Sequence, residues 1–290
     1  MHEFSYYAPR SLSEAIGLLA THGAKARPLC GGTDLIIQMR AGALRPTSII
    51  DVKQIRELRR ISFDGTTGLY LGAAVPCVEV YENAAVLGRY PGLADAARLI
   101  GSVQIRHRAS LGGNLVNGSP AADSVPALIA LGATALVAGP EDERTVPVEG
   151  FVVAPGRTVL RSGELLVGLQ VPPPPPAKSS SAYLRFTPRN EMDIAVVGVG
   201  VALVMDGERC LKAQIALGAV GPTQIIAQEA AAYLTGRRLD QAALDHAGWL
   251  ASRAATPIDD ARGTAEFRRH IVSVLTRRAL LAAADRARVN

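Results

Sequence analysis

The sequence predicts an α+β protein: a two-part N-terminal domain followed by a smaller C-terminal α+β domain in which a sheet packs with helices. Three observations predict it. The chain opens with a small α/β unit and changes, from about Leu58, to a mixture of strands and helices. Two glycine pairs, Gly31-Gly32 and Gly112-Gly113, follow predicted strands or precede predicted helices. Five consecutive prolines, Pro172–Pro176, cannot donate to a sheet and favour an extended spacer. The domains are therefore placed at 1–175, with subdomains of about 1–56 and 57–175, and at 176–290.

The elements follow in order. Residues 11–22 form an amphipathic helix, with Ser11 or Ser13 as its cap, Leu12, Ile16 and Leu19 at helical spacing, and Gly23 as its stop. A strand over Arg27–Cys30 runs into Gly31-Gly32-Thr33-Asp34, a helix over Leu35–Ala41 and a strand over Ser48–Val52. The second part has strands at Arg60–Phe63 and Leu69–Ala73, then helices at Val78–Leu87 and Gly92–Leu99. A second glycine turn, Ser110-Leu111-Gly112-Gly113-Asn114, precedes a helix at Ser124–Leu131 and strands at Ala133–Ala138 and Glu164–Val171. Beyond the prolines come strands at Ala182–Thr187, Ile194–Met205 and Lys212–Leu217, then helices at Thr223–Leu234, Asp240–Ala254 and Ala265–Arg286.

Composition removes several functions. No apolar run reaches the roughly 18 residues a membrane span needs, and Met1 to Ser5 lacks the pattern of a signal peptide, so a cytoplasmic protein is expected, with peripheral contact at the inner membrane face as a variant. Cys30, Cys77 and Cys210 are isolated, and the five histidines show no metal-ligand spacing, so no metal is expected. The net charge of +5 comes with only 4% aromatic residues, which argues against nucleic acid. Much of the excess lies at Arg268, Arg269, Arg277, Arg278, Arg286 and Arg288, read as a solvated or subunit-facing helix surface.

The chemistry rests on the glycine pairs. A glycine turn permits positive φ and lets a ligand reach bare N–H groups, and successive N–H groups aimed at one point form an anion nest. Two such nests converging suit a pyrophosphate, although a glycine pair between strand and helix is also an ordinary connector. G-x-G-x-x-G is missing: Gly198-Val199-Gly200 lies inside an apolar strand, which argues against a Rossmann hydride-transfer site. No Ser/His/Asp or Cys/His arrangement is present, Glu141-Asp142-Glu143 reads as a hydrophilic turn, and no catalytic residue is assigned.

The chain resembles the medium, FAD-binding subunit of the molybdenum hydroxylases, the family of xanthine dehydrogenase and aerobic carbon monoxide dehydrogenase. The resemblance covers nearly the whole chain. It is carried by Phe4-Ser5-Tyr6-Tyr7-Ala8-Pro9, Gly31-Gly32-Thr33-Asp34-Leu35, Gln104-Ile105-Arg106, Ser110-Leu111-Gly112-Gly113-Asn114, Ser119-Pro120-Ala121-Ala122-Asp123, Glu164-Leu165-Leu166, Tyr183, Asp193-Ile194-Ala195 and Arg262-Gly263 with Glu266-Phe267-Arg268. It implies a two-part FAD-binding domain of the PCMH type. By position it implies FAD contacts at Leu29, Cys30, Gly31, Gly32, Thr33, Asp34 and Leu35, at Ser110, Leu111, Gly112, Gly113 and Asn114, and at Ile100, Asp123, Leu166 and Arg185. Arg185 stands where xanthine dehydrogenases commonly have lysine. Read without the resemblance, Asp123 caps the helix after it, Leu166 is a core residue, Arg185 pairs with Glu191, and Asp34 serves as both cap and ligand.

The resemblance further implies an electron carrier in a dimer of heterotrimers. Its partners are a small subunit with two [2Fe-2S] clusters and a large molybdopterin subunit, and its external acceptor is NAD, a quinone or oxygen. Carbon monoxide dehydrogenases tend to carry Gly-Gly-His-Ser at Gly31–Asp34 and Tyr at Ile194, which weakens carbon monoxide as the substrate without excluding it. Two other readings are an autonomous PCMH-type FAD oxidase, which ordinarily needs a larger substrate domain, and a flavin-free scaffold or maturation protein, which would not need both glycine segments.

Overall fold

A computed structural model describes residues 2–175 and 178–289. Pro176, the first residue of the expected C-terminal domain, lies outside the described residues. The α+β class holds, in three sheets of three, five and four strands and a small two-stranded ribbon.

The first sheet is parallel, in the order β1 (Ser5–Tyr7), β3 (Ser48–Asp51), β2 (Ala26–Leu29). Helix α1 (Leu12–His22) starts where the Ser11 side chain accepts from the Glu14 amide at 3.2 Å and stops at Gly23. Helix α2 (Leu35–Arg40) connects β2 to β3. The expected elements appear here within a residue or two; the three-residue edge strand β1 is additional.

After α3 (Arg56–Arg59) comes an antiparallel sheet ordered β4 (Ile61–Asp64), β5 (Gly68–Gly72), β10 (Leu165–Val171), β6 (Thr134–Ala138), β7 (Glu143–Pro147). The ribbon β8 (Val152–Ala154) and β9 (Arg157–Thr158) lies between β7 and β10 in sequence. The single helix expected at Val78–Leu87 is two, α4 (Cys77–Glu82) and α5 (Ala84–Arg89), because Asn83 turns the chain and its side chain accepts from the amides of Ala85 and Val86. Helices α6 (Pro91–Leu99), α7 (Val103–Arg106), α8 (Leu111–Val116) and α9 (Ser124–Ala130) complete this part.

The last sheet is an antiparallel meander, β11 (Lys178–Phe186), β12 (Val197–Asp206), β13 (Arg209–Gly218), β14 (Ile225–Ile226), with helices α10 (Gln228–Leu234), α11 (Gln241–Ala254) and α12 (Ala265–Val289). Strand β14 falls inside the helix expected at Thr223–Leu234: Ile225 and Ile226 pair with Leu217 and Ala216 instead. The basic residues of α12 are not a plain solvated face. Arg268 is buried, donating to the carbonyls of Val196 and Ala219 and to Asp260, and Arg286 donates to Asp95 of α6 at 2.6 and 3.1 Å.

The last sheet is pressed onto the preceding helices. A Cβ at Gly200 of β12 would lie 2.5 Å from the Pro126 carbonyl of α9, and Gly92 of α6 donates its amide to Ser181 of β11 at 3.0 Å. Tyr183 and Ala216 of that sheet belong to the same core as Leu128 and Leu169. Gly200→Ala should therefore cost about 1–3 kcal/mol by overpacking this seam. The check is the midpoint of chemical denaturation, and a variant as stable as the parent would show that α9 is not seated on β12.

Candidate functional site

The two glycine segments meet through their backbones. Gly31 has no positive φ; it is required because a Cβ there would stand 2.1 Å from the carbonyl oxygen of Arg108, at the entrance to the second segment. Gly32 is the left-handed residue, at φ +76°. The Gly32 carbonyl accepts from the Ile36 amide at 3.0 Å, and among the described residues no bond occupies the amides of Thr33, Asp34 and Leu35. The expected nest, Gly31-Gly32-Thr33-Asp34, overlaps these open donors at Thr33 and Asp34.

The second segment is not the turn expected. Ser110 caps α8 by accepting from the Gly113 amide at 3.1 Å, so Leu111, Gly112 and Gly113 form the first turn of a helix. Gly112 meets a packing constraint rather than a torsional one: its Cβ would approach the Ala73 carbonyl oxygen to 2.4 Å. At Gly113 a Cβ would touch only the Ser110 hydroxyl, at 3.1 Å, and otherwise project into free space.

That space is a cleft of about 630 Å3. Cys30, Gly32, Thr33, Asp34 and Leu35 line it from one side, and Ser110, Gly112, Gly113 and Asn114 from the other, with Ile100, Asp123 and Leu166. Four residues expected at the site do not line it. Leu29 lies under the Gly32 turn, Gly31 against Arg108, and Leu111 in the core, while Arg185 stands behind Asp123. Gln38 donates to Asn117 across the two segments at 3.1 Å, and Asn114 uses its carbonyl oxygen on the amide and hydroxyl of Ser124, which leaves its NH2 for a ligand.

Asp123 makes no side-chain cap to α9. Its carboxylate accepts from the Tyr183 hydroxyl at 2.8 Å and from Arg185 at 2.7 Å. Burial pushes this carboxyl up to about 6, against the opposing pull of Arg185 and the Tyr183 hydrogen bond. Glu191, the partner expected for Arg185, is met by Arg106 at 3.4 Å. Leu166 is both a core residue and a cleft wall.

Several lining residues carry no expected role: Glu164, Arg27, Gln38 and the segment Met192–Ala195, with Met192 left-handed at φ 54°. Glu164, Asp193 and Ile194 stand within the sequence motifs already noted, whereas Arg27 and Gln38 have no such signal. Glu164 is gripped by Arg144 through two 2.8 Å bonds and by the Arg161 amide, and the Arg144 hydrogen bonds hold its carboxyl below the ordinary range. Among the described residues Arg27 is the one cation in the lining, and it donates to the carbonyls of Ala24 and Ala26. Anion binding here therefore falls to backbone N–H groups.

The cleft suits a long ligand with an anionic centre. Its volume is that of small-molecule sites, and the free space at Gly113 is a cradle that any side chain would fill. Apolar walls from Ile100, Ile105, Leu166 and Ile194 suit a flat ring. Burial pushes the Cys30 thiol up to about 11, so it is no nucleophile, and no histidine lines the described cleft. No group of three or more His, Cys, Asp or Glu is placed to hold a metal among the described residues, and no described helix is long and apolar enough to cross a membrane.

Residues 2–174 match the family described as the FAD binding domain in molybdopterin dehydrogenase, and residues 182–283 match the CO dehydrogenase flavoprotein C-terminal domain. The carbon monoxide dehydrogenase medium chain of Afipia carboxidovorans is 34% identical over 285 residues, covering 98% of each chain. The putative xanthine dehydrogenase FAD-binding subunit of Escherichia coli K12 is 30% identical over 276 residues, 95% of this chain and 94% of that one. A solved carbon monoxide dehydrogenase of Hydrogenophaga pseudoflava, lacking the Mo-pyranopterin moiety of its cofactor, superposes with a TM-score of 0.93 at 33% identity over 98% of each chain.

The Glu164–Arg144 pair generates a pH dependence. Because the folded pKa is depressed, the pair's stabilisation is fully present above the unfolded glutamate value of about 4.3 and is lost as pH falls through the lower folded value. Glu164→Gln should lower stability at neutral pH and flatten the decline on the acid side, as read by thermal melts across pH. An acid limb unchanged in slope would show that the pair does not contribute to it.

Proposed function

The chain belongs to the FAD-binding medium subunits of the molybdenum hydroxylases, and from that membership we propose that FAD lies in the cleft where α2 and α8 begin. The protein is an FAD-binding oxidoreductase subunit. The observation supporting this location is the convergence of the two glycine segments on one space that a side chain at Gly113 would fill.

In this reading the open amides of Thr33, Asp34 and Leu35 receive the pyrophosphate. Gly113 and Asn114 close on it from the other side. Ile100, Leu166 and Ile194 offer the apolar surface a flavin ring needs. Bound FAD supplies redox chemistry in both one- and two-electron steps, and the protein supplies binding, orientation and electrostatics.

Electrons would come singly from the [2Fe-2S] clusters of a small subunit, fed by a large molybdopterin subunit, and leave to NAD, a quinone or oxygen. A dimer of heterotrimers in the cytoplasm, free or resting on the inner membrane face, is the assembly we infer. What supports a subunit role over a self-contained oxidase is that the relatives match end to end and are themselves medium chains or FAD-binding subunits. Among the described residues no histidine lines the cleft, and burial pushes the Cys30 thiol up to about 11, which disfavours covalent flavin attachment through it.

Gly113→Val should place a branched side chain in the cradle and remove nearly all bound flavin, with the circular dichroism of the fold retained. Flavin content, measured by absorbance after denaturing release, is the check. Wild-type occupancy in a folded variant would sink this placement of the cofactor.

A further inference from the structure

The cleft is walled by carboxylates although its ligand is an anion. Among the described residues Asp34, Asp123, Glu164 and Asp193 line it, against Arg27 alone. Three of the four share one arrangement: an arginine outside the lining stands behind the carboxylate. Arg144 backs Glu164 at 2.8 Å, Arg189 backs Asp193 at 3.4 Å, and Arg185 backs Asp123 at 2.7 Å.

The Asp123 pair is the most enclosed of the three, with side chains 4% exposed at Arg185 and 11% at Asp123. Tyr183, two residues before Arg185 on β11, holds the other carboxylate oxygen at 2.8 Å and is fully buried. Gly198 on the neighbouring strand leaves room for that hydroxyl, since a Cβ there would lie 2.6 Å from it. Both carboxylate oxygens of a cleft residue are thus bound by the sheet that packs against α9.

We propose that Arg185 and Tyr183 are positioning residues that act on the cofactor through Asp123, fixing where its negative charge sits and offsetting it so that an anionic dinucleotide can enter. This rests on the placement of FAD in the cleft. Arg185 has no role as a direct ligand in it. An unbacked carboxylate in a low-dielectric wall repels a phosphate-bearing ligand, whereas a paired one presents a near-neutral, oriented acceptor. The arginine needs its partner equally, because a buried guanidinium without one is unfavourable.

The test is a double-mutant cycle on the full chain, stripped of flavin and titrated with FAD, with the dissociation constant read from flavin fluorescence. Arg185→Met should weaken binding by about tenfold or more, equivalent to at least about 1.4 kcal/mol. In the Asp123→Asn background the same change should have no further effect, because the charge it offsets is gone. Binding by Arg185→Met should also recover as pH is lowered from the alkaline range, because loss of Arg185 raises the Asp123 carboxyl above its value of about 6 and its protonation removes that charge.

Among the described residues, the groups bonded to this carboxyl are Tyr183 and Arg185 on β11; Asp95 of α6 accepts from the Tyr183 amide at 3.3 Å and from Arg286 but makes no bond to Asp123. Tyr183→Phe, which removes one hydroxyl and keeps the packing, repeats the test if Arg185→Met does not fold; its smaller loss should likewise vanish in Asp123→Asn. Full additivity in the cycle, an unchanged dissociation constant, or no recovery at lower pH would each overturn the proposal while leaving the cleft assignment intact. A wild-type chain that takes up no FAD would overturn both.

Discussion

Gly31 and the carbonyl of Arg108 touch because nothing larger than hydrogen stands between them, and the cleft depends on that contact. It brings the turn after β2, from the parallel sheet, against the approach to α8, from the antiparallel part. The first segment alone would present its open N–H groups to solvent, where water competes. Held against the second, whose Gly113 and Asn114 amides are taken by Ser110, those donors face an enclosed volume, and the lower effective dielectric makes each worth more. Gly112 against Ala73 and Gly200 against Pro126 extend the same principle outward: three close backbone approaches, each excluding a Cβ, fix the two segments and the last sheet around one space.

The electrostatics follow from that geometry. A wall made of chain turns and helix starts supplies donors from the backbone, so it needs few cationic side chains. The lining carries more carboxylates than cations, and their arginine partners stand outside it. Positive charge is thus available to moderate the cleft without occupying it. Asp123 and Glu164 show that the balance is local: burial raises the first despite its arginine, whereas paired hydrogen bonds from Arg144 lower the second.

Much of this was legible in the sequence, and the parts that were not share a cause. Helix α1 announced itself through Ser11, the spacing of Leu12, Ile16 and Leu19, and Gly23 because its start, face and stop are all local. The first glycine pair was legible for a similar reason. The second was misread as a turn because the Ser110 cap and the helical state of Gly112 are settled by Ala73, far away in sequence. Ile225 and Ile226 followed their partners Leu217 and Ala216 into a sheet against a helical pattern, a tertiary override of periodicity. Arg185 was legible as a residue near the site, but its partner was not: choosing Asp123 over Glu191 requires knowing that β11 runs beside the start of α9.

The same reasoning explains why the substrate is not written in this chain. The cleft wall is built largely from backbone and from apolar residues, which carry no mark of a particular substrate, and the chain is 34% and 30% identical to relatives named for carbon monoxide and for xanthine. A subunit that relays electrons needs no acid or base aimed at a substrate. The Tyr183–Asp123–Arg185 contact joins a carboxylate of the cleft to the last sheet, so the three side chains that set the charge of this wall also take part in seating that sheet on α9.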